Sequence, residues 1–147
     1  MVQLNFPAYQ FRFKSSENKI SIFDLIRKKF IVLTPEEWVR QHVVRYLIEE
    51  KKYPKSLINV EKLVRINGLN KRYDVIVFNP DGSILLVVEC KAHTVKITQE
   101  VFDQIARYNL ALDAKYLMIT NGMQHYYCQM DYDQQKYNFL QNIPDYR

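Results

Sequence analysis

Three charged residues at the ends of two apolar runs are the part of this sequence with the clearest chemical meaning. Asp74 opens the first run, and Glu89 and Lys91 close the second, Ile84–Cys90. Residues 79–82 between the runs contain the Pro and Asp-Gly of a tight turn, which predicts a β-hairpin. Carboxylates beside a strand that is buried on both faces are costly unless they are paired or bound to a metal. The pattern therefore predicts a functional site.

The predicted hairpin brings these charges together. Side chains alternate with period two along a strand, so Glu89 and Lys91 share a face, and the partner strand places Asp74 at the same edge. Two carboxylates suit Mg²⁺, with Mn²⁺ as an alternative, and an ammonium group offsets charge on a phosphate under attack. These residues predict metal-dependent phosphodiester hydrolysis with Asp74 and Glu89 as ligands. The structural alternatives are ion pairs of Asp74 with Arg72 and of Glu89 with Lys91.

Hydrophobic periodicity and turn residues predict an α/β fold around this hairpin. The expected order is an N-terminal hairpin within residues 1–33, a helix over 35–51, a three-strand meander, a helix over 98–112, and two more strands. The meander covers 57–67, 73–78 and 84–90, and the last strands cover 115–120 and 126–130. A helix before the fourth core strand favours parallel pairing there, so we expect a mixed central β-sheet flanked by helices in a single domain, residues 1–147.

Composition excludes several classes of protein. The hydrophobic content of 48% and charged content of 25% are typical of a folded globular chain. The sequence has no run long enough to span a membrane and no signal peptide, which predicts a cytoplasmic protein without a membrane partner. Its two cysteines do not have the spacing of a zinc site. The net charge of +5 allows contact with a polyanion, although basic residues at 27–29, 51–52 and 71–72 are expected to be solvated surface positions.

Two motifs in this context resemble those of known nucleases. Asp74, Glu89 and Lys91 form the pattern D-(x14)-E-x-K, which resembles the PD-(D/E)xK nuclease motif, with Tyr73 at the position of its Pro. Gln104 and Tyr108 are four residues apart, hence on one face of the second helix. They resemble the Q-x-x-x-Y motif of RecB-like nucleases and type I restriction motor subunits. The resemblance implies that this pair lies beside the active site and supports DNA or the catalytic residues.

The wider resemblance is to the N-terminal nuclease domain of type I restriction enzyme R (HsdR) subunits, and it covers residues 23–122. The segments that carry it are residues 22–24, 27–29, 33–41, 72–74, 88–92 and 121–122. It implies a restriction-endonuclease-like fold that cuts DNA with Mg²⁺. Such nucleases often use an acid from the first helix, which makes Glu36 and Glu37 candidates for a metal-binding or supporting acid. Helical phase places Glu36 near Arg40, and a capping box with Thr34 accounts for Glu37, so the choice between them stays open.

The predicted function is therefore a metal-dependent DNA endonuclease domain that lacks the ATPase motor of an HsdR subunit. The sequence contains no G-x-x-x-x-G-K-[ST] loop. The chain is either an excised domain or a stand-alone relative, and its expected partners are DNA and a separate motor, methyltransferase or specificity subunit. One alternative is a non-catalytic DNA-binding or assembly module that keeps the nuclease fold. A third hypothesis is a nuclease that acts on RNA or branched DNA, because a metal site carries no base specificity.

Overall fold

Two helices and nine strands make up the fold. The computed structural model describes residues 1–147, except for the side chains of Ile66 and Leu69. The helices are α1 (Pro35–Glu49) and α2 (Gln99–Asn109). The strands are β1 (Phe13–Ser16), β2 (Lys19–Asp24), β3 (Lys29–Val32), β4 (Ile58–Ile66), β5 (Leu69–Phe78), β6 (Ile84–Cys90), β7 (Tyr116–Thr120), β8 (His125–Asp131) and β9 (Lys136–Leu140). Short 3-10 turns cover Lys55–Leu57 and Leu110–Leu112.

The strands form two sheets. The first has the order β1-β2-β3, and the second has the order β4-β5-β6-β7-β8-β9. All neighbours are antiparallel except β6 and β7, which are parallel. A parallel pair needs a long crossover, and α2 lies within the connection between these two strands. The predicted α/β class with a mixed sheet is confirmed.

Hydrophobic residues on both faces of the six-strand sheet are buried. Val75, Val77 and Val88 pack with residues of α1, whereas Ile76 and Val87 pack with residues of α2. This alternation follows from the period of two in a strand. The apolar run of β6 is thus covered on both faces, as its sequence predicts, because each helix buries one face of the sheet.

The element boundaries differ from the sequence predictions in three places. The strand predicted to start at residue 73 begins at Leu69, so β4 and β5 form a longer hairpin than expected. The predicted N-terminal hairpin is present, and β3 pairs with β2 to give a third strand. The C-terminal tail, which has no clear periodicity, forms β9 against β8. In each case pairing with a neighbouring strand outweighs weak local patterning.

The helices bury both apolar and polar side chains. Val39, Val43 and Leu47 of α1 are buried, and the charged Arg40 is buried with them. The second helix ends at Asn109 rather than residue 112, and its buried side chains are those of Phe102, Ala106 and Asn109. Neither helix in the described part of the chain is long and apolar enough to span a membrane.

The N-terminus of α1 is capped as the sequence predicts. Thr34 has an extended backbone, and its side-chain oxygen accepts a hydrogen bond from the Glu37 backbone N–H, while Pro35 occupies the first turn. Replacing Thr34 with Ala removes this acceptor, and we expect a loss of about 1 kcal/mol in the free energy of unfolding, measured by urea denaturation. Thr94→Ala, in an exposed loop, is the control, and an equal loss in both variants would contradict the capping role.

Candidate active site

The alternation of side chains along β5 changes at Asp74. Tyr73 and Val75 are two residues apart, yet Tyr73 packs on the α2 side of the sheet and Val75 on the α1 side. The residue pairs that join β4 to β5 skip Glu61 and Asp74, and those that join β5 to β6 start at Val75 and Val88. Glu61 also has a positive φ of 54°. The strand is therefore irregular at Asp74, which leaves this carboxylate outside the regular ladder.

Both oxygens of Asp74 accept hydrogen bonds. Its Oδ2 accepts from the Cys90 backbone N–H at 2.7 Å, and its Oδ1 lies 2.9 Å from Arg40 Nη2. The first contact joins Asp74 to the end of β6, where Glu89 and Lys91 flank Cys90. The predicted alternative ion pair with Arg72 is wrong, because Arg72 lies near Glu61 instead, with Nη1 and Oε2 3.7 Å apart.

Glu89 is paired with Lys71, a residue outside the predicted site. Its Oε1 lies 3.2 Å from Lys71 Nζ, so the predicted alternative pair with Lys91 is not the one observed. Burial raises the pKa of Glu89, and the Asp74 carboxylate raises it further, whereas Lys71 and Lys91 oppose this rise. The charges of Asp74, Lys71 and Lys91 therefore all act on the Glu89 carboxylate.

Lys91 follows β6 and is half-buried. Its backbone N–H donates to the Thr120 carbonyl at 2.8 Å, which anchors it to the end of β7. Its ammonium group lowers the pKa of Glu36 as well as that of Glu89, so its charge acts on acids from both α1 and β6. The next loop is fixed by Asn121, whose Nδ2 donates to the Val95 carbonyl.

Arg40 links α1 to Asp74 through a buried ion network. Its side chain is only 6% exposed, and its Nη1 lies 2.6 Å from Glu37 Oε1. Its Nη2 contacts Glu61 Oε1 at 2.6 Å in addition to Asp74. The neighbouring carboxylates raise the pKa of Arg40 despite its burial, so it remains charged. The sequence signal for this buried role was the position of Arg40, a charged residue directly after Val39 in the apolar pattern of α1.

The network extends from Arg40 to the three-strand sheet. Arg27 Nη2 donates to both oxygens of Glu37, and Arg27 Nε lies 2.8 Å from Asp24 Oδ2. Gln41 Nε2 donates to Asp24 and Glu37 at 3.0 Å each. Arg27 and Lys71 were expected to be solvated, and the structure corrects this because both are partly buried in ion pairs.

Glu36 and Glu37 point into different environments. Glu37 is buried, and its carboxylate contacts Arg27 and Arg40 rather than returning to the backbone at Thr34, so only half of the predicted capping box is formed. The side chain of Glu36 is 49% exposed. Burial raises the pKa of Glu36 and the nearby Asp74 carboxylate raises it further, against the lowering effects of Arg40 and Lys91. Glu36 and Asp74 lie close together, because Arg40 Nη2 contacts Glu36 Oε1 at 3.5 Å and Asp74 Oδ1 at 2.9 Å.

The motif residues of α2 lie on its exposed side. Tyr108 is 61% exposed, and Lys71 Nζ lies 3.8 Å from the centre of its ring and 4.7 Å from that of Tyr73. Because the same ammonium group contacts Glu89, Tyr108 is connected to the acidic group through a cation–π interaction. Gln104 is exposed and makes no side-chain hydrogen bond to the described residues. The structure thus connects Tyr108 to Glu89 but leaves Gln104 apart.

The acids at this site have the donor chemistry that Mg²⁺ requires. Asp74 and Glu89 supply carboxylate oxygens, with Glu36 adjacent, and Mg²⁺ needs only one or two carboxylates because it keeps several waters. Among the described residues, no group of three or more His, Cys, Asp and Glu side chains is arranged to hold a metal ion. Arg40 and Lys71 already contact Asp74 and Glu89, so an added cation would share these acids with them.

Comparison with known proteins identifies the family of the chain. No curated protein matched the chain. Residues 35–144 match the family model described as "Type I restriction enzyme R protein N terminus (HSDR_N)". The chain belongs to this family. The HSDR_N match begins at the first residue of α1 and extends beyond β9, so Glu36, Asp74, Glu89, Lys91 and Tyr108 all lie within it.

A solved structure also resembles this HSDR_N chain. It is a fragment assigned to the HsdR subunit of a type I restriction enzyme from Vibrio vulnificus YJ016, with a TM-score of 0.50 and 21% sequence identity over 77% of the present chain. The match covers 24% of that chain, so the present chain spans about a quarter of its length. At this identity the likeness supports the fold alone.

Proposed function

We propose that this HSDR_N chain is a restriction-endonuclease-like domain that hydrolyses DNA phosphodiester bonds with a divalent cation. The supporting observation is that Asp74, at the irregular point of β5, is hydrogen-bonded to the end of β6, which carries Glu89 and Lys91. The mixed α/β fold, the HSDR_N family and the acids Asp74 and Glu89 all support this proposal. The chain's partners would be DNA and the other components of a restriction-modification system.

Each residue has a distinct part in the proposed reaction. Asp74 and Glu89 would hold Mg²⁺ or Mn²⁺, which when bound would act as a Lewis acid and lower the pKa of its water. Arg40 holds Asp74 in place, and Glu36 adds negative charge beside it. Lys91 would stabilise charge that develops on the phosphate oxygens. Tyr108 would support this group from α2, with Lys71 between Tyr108 and Glu89, and the exposed Gln104 would contact DNA.

The direct test compares cleavage of supercoiled plasmid by wild type and Asp74→Asn, each with Mg²⁺ and with EDTA. The Asn side chain keeps an acceptor for Cys90 but removes the negative charge, so we expect cleavage to fall by at least about a hundredfold. Asp133→Asn, which changes an exposed residue, should cut like wild type. Equal cutting by wild type and Asp74→Asn, or cutting that survives EDTA, would overturn the proposal.

A second candidate function is a non-catalytic DNA-binding or assembly module. The observation in its favour is that Asp74 and Glu89 each already have a basic partner, Arg40 and Lys71. A module of this kind would bind DNA in a salt-dependent manner that Glu89→Gln does not change, and it would show no Mg²⁺-dependent cutting. Loss of both divalent-cation binding, measured by calorimetry, and cleavage in Glu89→Gln would exclude it.

A further inference from the structure

The outer part of the β4–β5 hairpin is a projecting basic segment, residues 62–72, which we call the basic arm. It contains Lys62, Arg65, Lys71 and Arg72 but no acidic residue, whereas the whole chain has a net charge of only +5. Burial decreases along it, since Val60 and Val75 belong to the core but most arm residues are exposed. At about 3.4 Å per residue, the arm extends roughly 20 Å from Asp74 to its tip at Gly68.

One face of the basic arm is exposed and carries two guanidinium groups. Leu63 is paired with Arg72, and Arg65 with Asn70, so these four side chains lie on the same face. All four are exposed, and the side chain of Arg72 is 64% exposed. This face therefore carries the positive charges of Arg65 and Arg72 and the amide of Asn70. The first carboxylate along it is that of Glu61.

Both faces of the arm lead directly to the candidate active site. On the exposed face, Arg72 lies 3.7 Å from Glu61, which in turn contacts Arg40 beside Asp74. On the other face, Lys71 contacts Glu89 at 3.2 Å. The arm and the site thus form one continuous surface, so a polyanion that lies along the arm would be led to Asp74 and Glu89.

We propose that the basic arm binds the sugar-phosphate backbone of double-stranded DNA next to the phosphate that is cut. Guanidinium groups match phosphate oxygens in charge and geometry, and a duplex has one phosphate per roughly 1.7 Å of its axis. Arg65 and Arg72, on the same face, would each contact a phosphate and give affinity without sequence selectivity. The placement of the arm beside a cutting site rests on the proposed nuclease function. The charge of the arm supports DNA binding independently of that function.

The test measures how binding of a short labelled DNA duplex depends on salt, by fluorescence anisotropy in EDTA so that no cutting occurs. In Arg65→Gln/Arg72→Gln, the slope of log K against log salt should become shallower by about 2, since each lost phosphate contact contributes about 0.9. The matched control, Lys19→Gln/Lys29→Gln, has the same charge change at exposed residues of β2 and β3, and its slope should stay near that of wild type.

Equal changes in the arm variant and the control would overturn the proposal, as would a duplex RNA that binds more tightly than DNA through the same two arginines. Circular dichroism of both variants checks that each is folded. The outcome is separable from the nuclease proposal. Plasmid cleavage without a change of salt slope would refute the arm alone, whereas a change of slope without any Mg²⁺-dependent cleavage would support the arm and refute the nuclease.

Discussion

Replacing Lys91 with Met is expected to reduce Mg²⁺-dependent DNA cleavage by about 10²- to 10³-fold, the range observed when one group that stabilises transition-state charge is removed. Met keeps most of the side-chain volume but lacks the ammonium group, which acts electrostatically on Glu36 and Glu89 in this structure. Rates of plasmid nicking under single-turnover conditions measure the effect. Divalent-cation binding, measured by calorimetry, should persist, because the carboxylates are unchanged and a nearby positive charge has been removed.

The control for this variant is Lys96→Met, which removes an exposed ammonium group from the loop after the site. Its cleavage rate should equal that of wild type. If Lys91→Met also cuts like wild type, Lys91 has no part in the chemistry and the E-x-K pattern here is structural. If Lys91→Met instead loses divalent-cation binding together with cleavage, its role is to maintain the acid pair rather than to stabilise the transition state.

Replacing Arg40 with Met is expected to reduce the free energy of unfolding by about 3–5 kcal/mol, because removal of one partner leaves buried charges unpaired. Asp74, which is half-buried, would lose its basic partner, and Glu37, which is 4% exposed, would keep only Arg27 as its basic partner. Urea denaturation at pH 7 measures the change. Arg40→Lys should recover part of the loss, since it restores the charge but not all four acid contacts of the guanidinium group.

An exposed arginine provides the comparison for this prediction. Arg107 lies in the last turn of α2, and Arg107→Met should change the free energy of unfolding by no more than about 0.5 kcal/mol. A similar loss in both variants would show that the buried network contributes little to stability. A large loss for Arg40→Met alone would establish that α1 and β5 are joined by this network and not only by apolar packing.

Much of the fold could be predicted from the sequence because its signals are local. The Thr34 and Pro35 start of α1, the turn after Phe78 and the apolar run of β6 each act within a few residues. Strand β9 and the start of β5 at Leu69 were missed, because both depend on pairing with a neighbouring strand. The spacing of apolar residues also gives no indication by itself that Arg40 is buried, because its burial depends on four acids from three elements that surround it.

Residue type and spacing are enough to predict the family, the α/β class and the acid-and-lysine pattern of Asp74, Glu89 and Lys91. Which charges pair depends on the folded chain. Asp74 contacts Arg40 rather than Arg72, and Glu89 contacts Lys71 rather than Lys91. The physical reason is that ion pairs form between the groups that folding buries together, and the irregularity of β5 at Asp74 directs that carboxylate towards α1 and the end of β6.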